Sequence, residues 1–357
     1  MLHAVIMAGG CGTRFWPASR RARPKQLLAL ACDQPLLRLT LDRIAPLVPP
    51  ERLWVVTTES HLAATRELLP DLPDGNIIAE PVGRNTAACA GLAAVAVRAR
   101  DPEAVMVVLP ADHIIGEEAR FRSAVSAAAA VVARDGGLLT FGIRPAHPET
   151  GYGYLRQGAP HIEEAGWVIH RLEGFVEKPD AERAQAYLES GRYLWNAGIF
   201  CWRARDLLAE ITRHLPEMAA GMQQIADAWS SPRAAAALAE VYPQLPATSV
   251  DFGIMEKADR GWVMPVDFPW SDVGSWLALA DHLASDTHGN AIRGRVHAVD
   301  ASGNVLVSDG PLIAALGIRD LVVVTTADAV LVVPKDQAQR VKELIDGLDG
   351  RGWDDVL

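Results

Sequence analysis

The 357-residue chain has only four cysteines, Cys11, Cys32, Cys89 and Cys201, scattered with no CxxC and no Cys/His ligand spacing. That fits free thiols in a reducing compartment and offers no zinc site. Positive charge is also short, 34 Lys and Arg against 44 Asp and Glu for a net charge of −10. No global basic field is available to collect nucleic acid, so any polyanion must be held by a few local cations. No window approaches ~18 uninterrupted apolar residues, so no membrane span is expected. The N-terminal apolar run lacks a basic leader and a small-residue cleavage site, and the expected home is the cytoplasm. Low-complexity linkers are missing too. The alanine runs near 124–130 and 233–237 sit in helical patterns and read as helix surface.

What is present begins with a short apolar strand, LHAVIMAGG, that runs into CGTRFWPASRRARPKQLL. Gly9, Gly10 and Gly12 remove side chains where backbone N–H groups must approach a polyanion, and Arg14 and Lys25 bring two cations to the same mouth. This reads as a nucleotide-phosphate site. Neither a complete GxGxxG nor a GxxxxGK[ST] can be written, and the ribose-binding acid about 20 residues on is missing, which removes a nicotinamide oxidoreductase.

Over the first half, apolar strand-like runs alternate with helical patterns near 35–46, after Ser60, from Asn85 and near 117–134. The rhythm predicts an α/β fold, a Rossmann-like, mostly parallel mixed sheet with helices on both faces, whose ligands lie beyond the carboxyl ends of the strands. From 150 to 285 the pattern is less regular, with GYGYL, WVIHRLEGFVEKP and YLWNAGIFCW strand-like, then a long helical stretch near 204–229. From about Asn290 short β runs punctuated by Asp, Gly and Asn precede a terminal helix, DQAQRVKELIDGL. The expected division is 1–285, its nucleotide part about 1–145 and a part carrying a second substrate pocket about 146–285, followed by a small β-rich appendage over 286–357.

Candidate chemistry sits at the strand ends. Asp112 in LPADH projects where a magnesium carboxylate ligand belongs, although an aspartate there also caps turns; His113 beside it suits a structural role better. Asp272 in WSDVGSW would pass as an N-cap on its own and becomes a ligand candidate only with Asp112 as partner. Glu177 and Lys178 are adjacent on a strand end, so both reach one ligand only if the backbone bends there; a surface ion pair is the alternative. Asn196 and the GYGY backbone around Tyr152 and Gly153 offer sugar-type hydrogen bonds, while Tyr152 and Trp195 themselves read as core. Asn85 reads as a helix cap and Glu80-Pro81 as a purine-edge reader. The DFG at 251–253 lacks every other kinase feature.

Assembled in order, GGCGTRFWPASRRARPKQL, EPVGRNTA, LPADH, TGYGY, FVEKPD, WNAGIF, SVDFGIMEK and WSDVGSW resemble the nucleotidyltransferase family that makes sugar nucleotides, in its guanylyl, mannose-type branch. The resemblance implies attack of mannose 1-phosphate on the α-phosphorus of GTP, giving GDP-mannose and pyrophosphate. It implies Arg14 and Lys25 as catalytic clamps on the triphosphate, with Ala8, Gly9, Gly10, Gly12 and Thr13 around the phosphates. Glu80, Pro81, Arg84, Asn85 and Thr86 become the guanine and ribose wall, and Asp112 and Asp272 the Mg²⁺ ligands. Lys178 becomes the partner of the sugar phosphate, with Tyr152, Gly153, Glu177 and Asn196 toward mannose. The β-rich tail resembles a β-helix-like piece used in subunit contacts, so a homodimer is expected, and the chain leaves no room for the isomerase domain some relatives carry. Phe15 replaces a more familiar Leu, and Leu27 a Phe. Rival readings are transfer to a different sugar 1-phosphate, and a non-catalytic sugar-nucleotide sensor.

Overall fold

The structure, a computed structural model, describes residues 1–10, 12–348, 351–353 and 356; Cys11 and the Thr13 side chain lie outside the described residues. Contacts divide the chain into two compact units, neither continuous in sequence: Met1–Gly9, Thr40–Ala111 and Ile115–Trp270 form one, and Gly10–Leu39, Asp112–Ile114 and Ser271–Leu357 the other.

The larger unit is built on one nine-stranded sheet. Its strands are β1 (Leu2–Met7), β2 (Leu53–Thr58), β3 (Ile77–Glu80), β4 (Val105–Pro110), β5 (Leu138–Ile143), β6 (Tyr154–Glu164), β7 (Trp167–Val176), β8 (Tyr193–Arg203) and β9 (Gly261–Val266). They lie in the order β3-β2-β1-β4-β8-β5-β9-β7-β6. From β3 to β4 every pair is parallel, and those strands are the near-continuous apolar runs that burial on both faces demands. β8 runs antiparallel to both β4 and β5, which makes the sheet mixed. β6 and β7 form a hairpin whose turn residues, Ala165 at φ +51° and Gly166 at φ +82°, are both left-handed, the twist that matches two right-twisted strands.

The expected helices occupy Leu36–Ile44, Leu62–Leu68, Asn85–Arg100 and Glu118–Asp135. Two expectations are corrected. The helical stretch near 204–229 is two helices, Ala204–His214 and Pro216–Ala228, because Pro216 has no N–H to continue the first and is pre-set to open the second. The alanines near 124–130 are helical but not surface: Ala124, Ala127, Ala128 and Ala129 are buried, whereas the helix Ala234–Val241 buries nothing. Among the described residues no helix is long and apolar enough to cross a membrane.

The second unit contains a short parallel β-helix. Strands β10 (Ala291–Arg293), β12 (Val305–Ser308) and β14 (Leu321–Thr325) stack in parallel with Ala291, Val305 and Val322 in register. A second ladder pairs β11 (Val296–Val299) with β13 (Ile313–Leu316), and β15 (Val330–Pro334) turns back antiparallel to close the stack. The coil's interior corner is polar. Buried Asn304 donates from Nδ2 to Asn290 Oδ1 at 2.8 Å and to the Ile318 carbonyl at 3.2 Å, while its own Oδ1 accepts the Leu321 N–H at 3.0 Å. This asparagine ladder satisfies backbone groups that successive coils leave without strand partners.

One hydrophobic core unites this coil with a distant part of the sequence. Val305, Val307, Val322, Val324, Leu331 and Val333 pack with Val341 and Ile345 of the terminal helix Val341–Leu348, and also with Phe15, Trp16, Leu28, Leu30 and Trp276. Trp276 Nε1 donates to the Trp16 carbonyl at 3.1 Å, and Arg293 Nη1 to the Leu30 carbonyl at 2.9 Å. The segment after the glycine turn is thus held by the C-terminal coil.

Candidate active site

In the coil-bearing unit, Phe15 and Trp16 point into the core and leave Arg14, on the same short helical turn, exposed and without an ion-pair partner among the described residues. Gly12 takes φ +51°, and a Cβ there would fall 2.6 Å from Lys25 Cβ. Only glycine meets both demands. Gln26 Nε2 donates to the Gly10 carbonyl at 3.0 Å, tying the PKQ turn to the glycine turn.

Lys25 is almost fully buried, at 5 % exposure. Its Nζ donates to Asp112 Oδ2 at 2.9 Å and to the Asp272 backbone carbonyl at 2.6 Å. The ammonium therefore stands between the two aspartates that the sequence offered as metal ligands, a placement that sequence reading, which aimed Lys25 at the triphosphate, did not anticipate. Burial raises the Asp112 carboxyl, but Lys25 and, after it, His113 outweigh that and hold it below the usual carboxylate range. Asp272 is no helix cap. Its Oδ1 accepts the Gly274 N–H at 3.1 Å in a tight turn where Val273 has φ +46°, and the following helix is capped by the Ser275 hydroxyl instead. Two carboxylates suit Mg²⁺, which takes one or two from a protein and completes its shell with water and phosphate oxygens. Among the described residues no group of three or more His, Cys, Asp or Glu forms a richer site.

In the sheet-bearing unit, two clusters gather at strand ends. Glu80, the last residue of β3, is buried with Oε2 against Gly9, and its Oε1 accepts from the Tyr242 hydroxyl. Burial pushes the Glu80 carboxyl up to about 7, although the Tyr242 hydrogen bond works the other way. Arg84 donates to the neighbouring Pro243 carbonyl. The N-cap of the Asn85–Arg100 helix is Arg84, not Asn85, which sits at φ +65° and accepts the Thr86 N–H on its side chain at 2.8 Å. The Ala87 N–H goes to the Thr248 carbonyl at 3.1 Å, and Thr86 Oγ1 accepts the Val250 N–H at 2.8 Å. The first turn of this helix is therefore largely occupied by its own chain. Ala8 is held in the sheet through its N–H to the Val56 carbonyl at 2.7 Å.

In the second cluster Lys178 has φ +46°, so the chain does bend after β7, and Lys178 Nζ and Glu177 Oε1 pair at 2.7 Å near the surface, the ion pair named as the alternative. A Cβ on Gly153 would lie 2.7 Å from Glu177 Oε2, so a larger residue there would push the Glu177 carboxylate aside. The Gly153 carbonyl accepts the Asn196 N–H at 2.8 Å, and the Lys178 N–H goes to the Tyr152 carbonyl at 3.2 Å. Tyr152 packs edge-on against Trp195 and Trp270 with ring centroids 5.3 Å apart in each pair, and Trp195 is core. Two residues absent from the sequence-derived set enter these clusters. Tyr242 holds Glu80, and Asp251 accepts from Asn196 Nδ2 at 2.8 Å. Only the second had a visible signal, the SVDFGIMEK string, read as a branch marker rather than as a ligand-shaping residue.

A family profile described as "Nucleotidyl transferase" matches residues 3–289, and one described as "MannoseP isomerase/GMP-like beta-helix domain" matches 294–348, covering the parallel coil. The chain is 39% identical over 351 residues to a mannose-1-phosphate guanylyltransferase of Klebsiella pneumoniae, covering 98% of this chain and 74% of that one. A mannose-1-phosphate guanylyltransferase of Escherichia coli K12 is 40% identical over 357 residues, with 98% and 74% covered. Among solved structures, one titled mannose-1-phosphate geranyltransferase from Thermus thermophilus superposes with a TM-score of 0.87 at 38% identity, covering 98% of this chain and 99% of that one. With the profile spanning most of its sequence and such relatives alike along nearly its whole length, the chain belongs to the nucleotidyl transferase family.

Proposed function

We propose that the protein is a mannose-1-phosphate guanylyltransferase that transfers GMP from GTP to mannose 1-phosphate. An oxygen of the sugar phosphate attacks the α-phosphorus in line, the bond from that phosphorus to the β-phosphate oxygen breaks, and GDP-mannose and pyrophosphate result. The observation that carries the reading is the buried Lys25 ammonium joining the Asp112 carboxylate to the Asp272 turn beside the glycine turn. The likeness to the bacterial guanylyltransferases supports the choice of substrates.

Little covalent work falls to the protein, since the attacking phosphate is already ionised; its task is to position two anions and neutralise them. Mg²⁺, held by Asp112 and Asp272, would screen the triphosphate and polarise the α-phosphoryl group. Lys25 holds both aspartate segments in place and keeps Asp112 ionised. Arg14, exposed and uncommitted, supplies a mobile cation to the phosphates, and the backbone of Ala8, Gly9, Gly10, Gly12 and Thr13 supplies N–H donors. Lys178 neutralises the sugar phosphate, with Tyr152, Gly153, Glu177 and Asn196 toward the hydroxyls. Glu80, Pro81, Arg84, Asn85 and Thr86 form the base and ribose wall, and the Tyr242 hydrogen bond sets the Glu80 carboxyl. A homodimer is part of the reading: Val299 and Leu316, paired across the β11–β13 ladder, are 42% and 72% exposed, an apolar surface fit for a second copy. A GTP-consuming synthesis and free thiols suit the cytoplasm.

The test is a panel of four nucleoside triphosphates against several sugar 1-phosphates, with pyrophosphate release as readout. GTP with mannose 1-phosphate should lead; another pair would redirect the assignment, and silence throughout would favour a sensor. Asp112→Asn should lose activity together with its Mg²⁺ dependence, and a variant responding normally to Mg²⁺ would rule out ligation.

A further inference from the structure

Asn196 lies in β8 with its amide orientation set by two neighbours that cannot exchange roles. The Gly198 N–H, which can only donate, reaches Asn196 Oδ1 at 3.2 Å. The Asp251 carboxylate, which can only accept when ionised, takes one N–H from Nδ2 at 2.8 Å. The Thr140 hydroxyl has one hydrogen and two acceptors, Asn196 Oδ1 at 2.9 Å and the Ile199 carbonyl at 3.2 Å; given to the nearer, it engages the second lone pair of the amide oxygen, and among the described residues one Nδ2 hydrogen is left over. Asp251 comes from elsewhere in the chain, on a five-residue π-helical turn, Asp251–Met255, closed by the Glu256 N–H to the Asp251 carbonyl at 3.0 Å. Such turns are costly and concentrate at functional sites. The turn buries Gly253, Ile254 and Met255 and leaves Phe252 exposed.

Resting on the guanylyltransferase reading, we propose that Asp251 is a positioning residue for the sugar: it locks the Asn196 amide so that a single N–H donor, and no acceptor, is offered to the sugar 1-phosphate, and so helps set which hydroxyl pattern is accepted. Without Asp251 the Nδ2 group loses its anionic anchor, and rotation of the side chain would offer donor and acceptor indiscriminately. The energetics point the same way. Burial, with the Glu177 carboxylate adding to it, pushes the Asp251 carboxyl up to about 6, so an ionised aspartate there works against folding at neutral pH.

The experiment is steady-state kinetics with thermal melts. Asp251→Ala should raise KM for mannose 1-phosphate about tenfold, with kcat within about threefold and KM for GTP unchanged, the loss expected from freeing one positioned donor. Asp251→Asn should recover most of that KM, because its carbonyl can accept the same hydrogen bond, and should melt higher than wild type at pH 8. In an Asn196→Ala background Asp251→Ala should add nothing, the signature of one residue acting through the other. Additive effects of the two substitutions, an unchanged sugar KM, or an equal rise in the GTP KM would each overturn the proposal. Turnover of a different sugar 1-phosphate by wild type would sink the mannose assignment and leave these comparisons to run on that sugar. Failure to use any sugar 1-phosphate would overturn both.

Discussion

Asn304→Ala removes one side chain from the asparagine ladder and leaves one half-buried backbone group, the Leu321 N–H, without its partner, while the Ile318 carbonyl keeps the Ser302 N–H at 3.1 Å. Asn290 keeps its bond from the Asn304 backbone N–H at 3.0 Å, so the damage is confined to the next coil. One orphaned group costs about 1–3 kcal/mol, centrally about 2 kcal/mol. Read as local opening, that is roughly thirtyfold faster amide exchange over β12 and β14. Hydrogen exchange followed by mass spectrometry measures this directly, segment by segment. Because Phe15 and Trp16 share the coil's core, peptides spanning 15–30 should lose protection in parallel with the coil itself. Val332→Thr is the control: Val332 is 59% exposed, and such surface changes stay within about 0.5 kcal/mol. Protection over 304–325 that changes by less than about tenfold would refute the ladder's role, and a response confined to the coil would refute its hold on the 15–30 segment.

Three further outcomes are expected. Lys25→Ala should cut turnover by roughly 10²-fold or more in a pyrophosphate-release assay, the order seen when one preorganised electrostatic contact is lost, and near-normal turnover would remove Lys25 from the machinery. Gly12→Ala should lower both melting temperature and turnover, since the new Cβ needs a left-handed backbone and meets Lys25, whereas a Cβ on Gly10 meets nothing within 4 Å and Gly10→Ala should leave the melt unchanged. Glu80→Gln should show a pH-dependent gain in stability. With the folded pKa about 7 against an ordinary 4.5, the native state holds its proton more tightly than the unfolded chain, so wild type loses stability as pH rises from about 4.5 to about 7 and regains it as pH falls back through that window. The variant should melt above wild type at pH 8.5 by something on the order of 3 kcal/mol and match it only below about pH 4; a gap independent of pH would contradict the raised carboxyl.

The alternating strands and helices were legible because a strand buried on both faces must be an apolar run, as LWVVTT and VMVVLP are. Carboxylates at strand ends were legible for the same reason, the apolar run stopping at Asp112 and Glu80. What stayed hidden was pairing at a distance. Lys25 meets partners 87 and 247 residues away, and nothing local to RPKQL distinguishes a lysine reaching for phosphate from one buried between aspartates. Asn290 and Asn304 look like turn residues within HGNAI and SGNVL, since an asparagine facing a coil's interior has the same neighbours in sequence as one in a surface turn. The alanines at 124–130 carry no amphipathic contrast, so their burial could not be read. Asp251 was seen only as part of the SVDFGIMEK string that carries the resemblance, because its partner, Asn196, lies 55 residues away in β8.

The shared core of the glycine-turn segment and the C-terminal coil decides how this protein can be cut and recombined. A version ending near residue 289 would strip Phe15, Trp16 and Trp276 of the valines they rest on, leaving the segment after the glycine turn without a floor. A chimera that exchanged the coil between relatives would have to carry residues 10–39 with it. The core is shared by two segments at opposite ends of the chain, so a destabilising substitution in one should be open to compensation in the other.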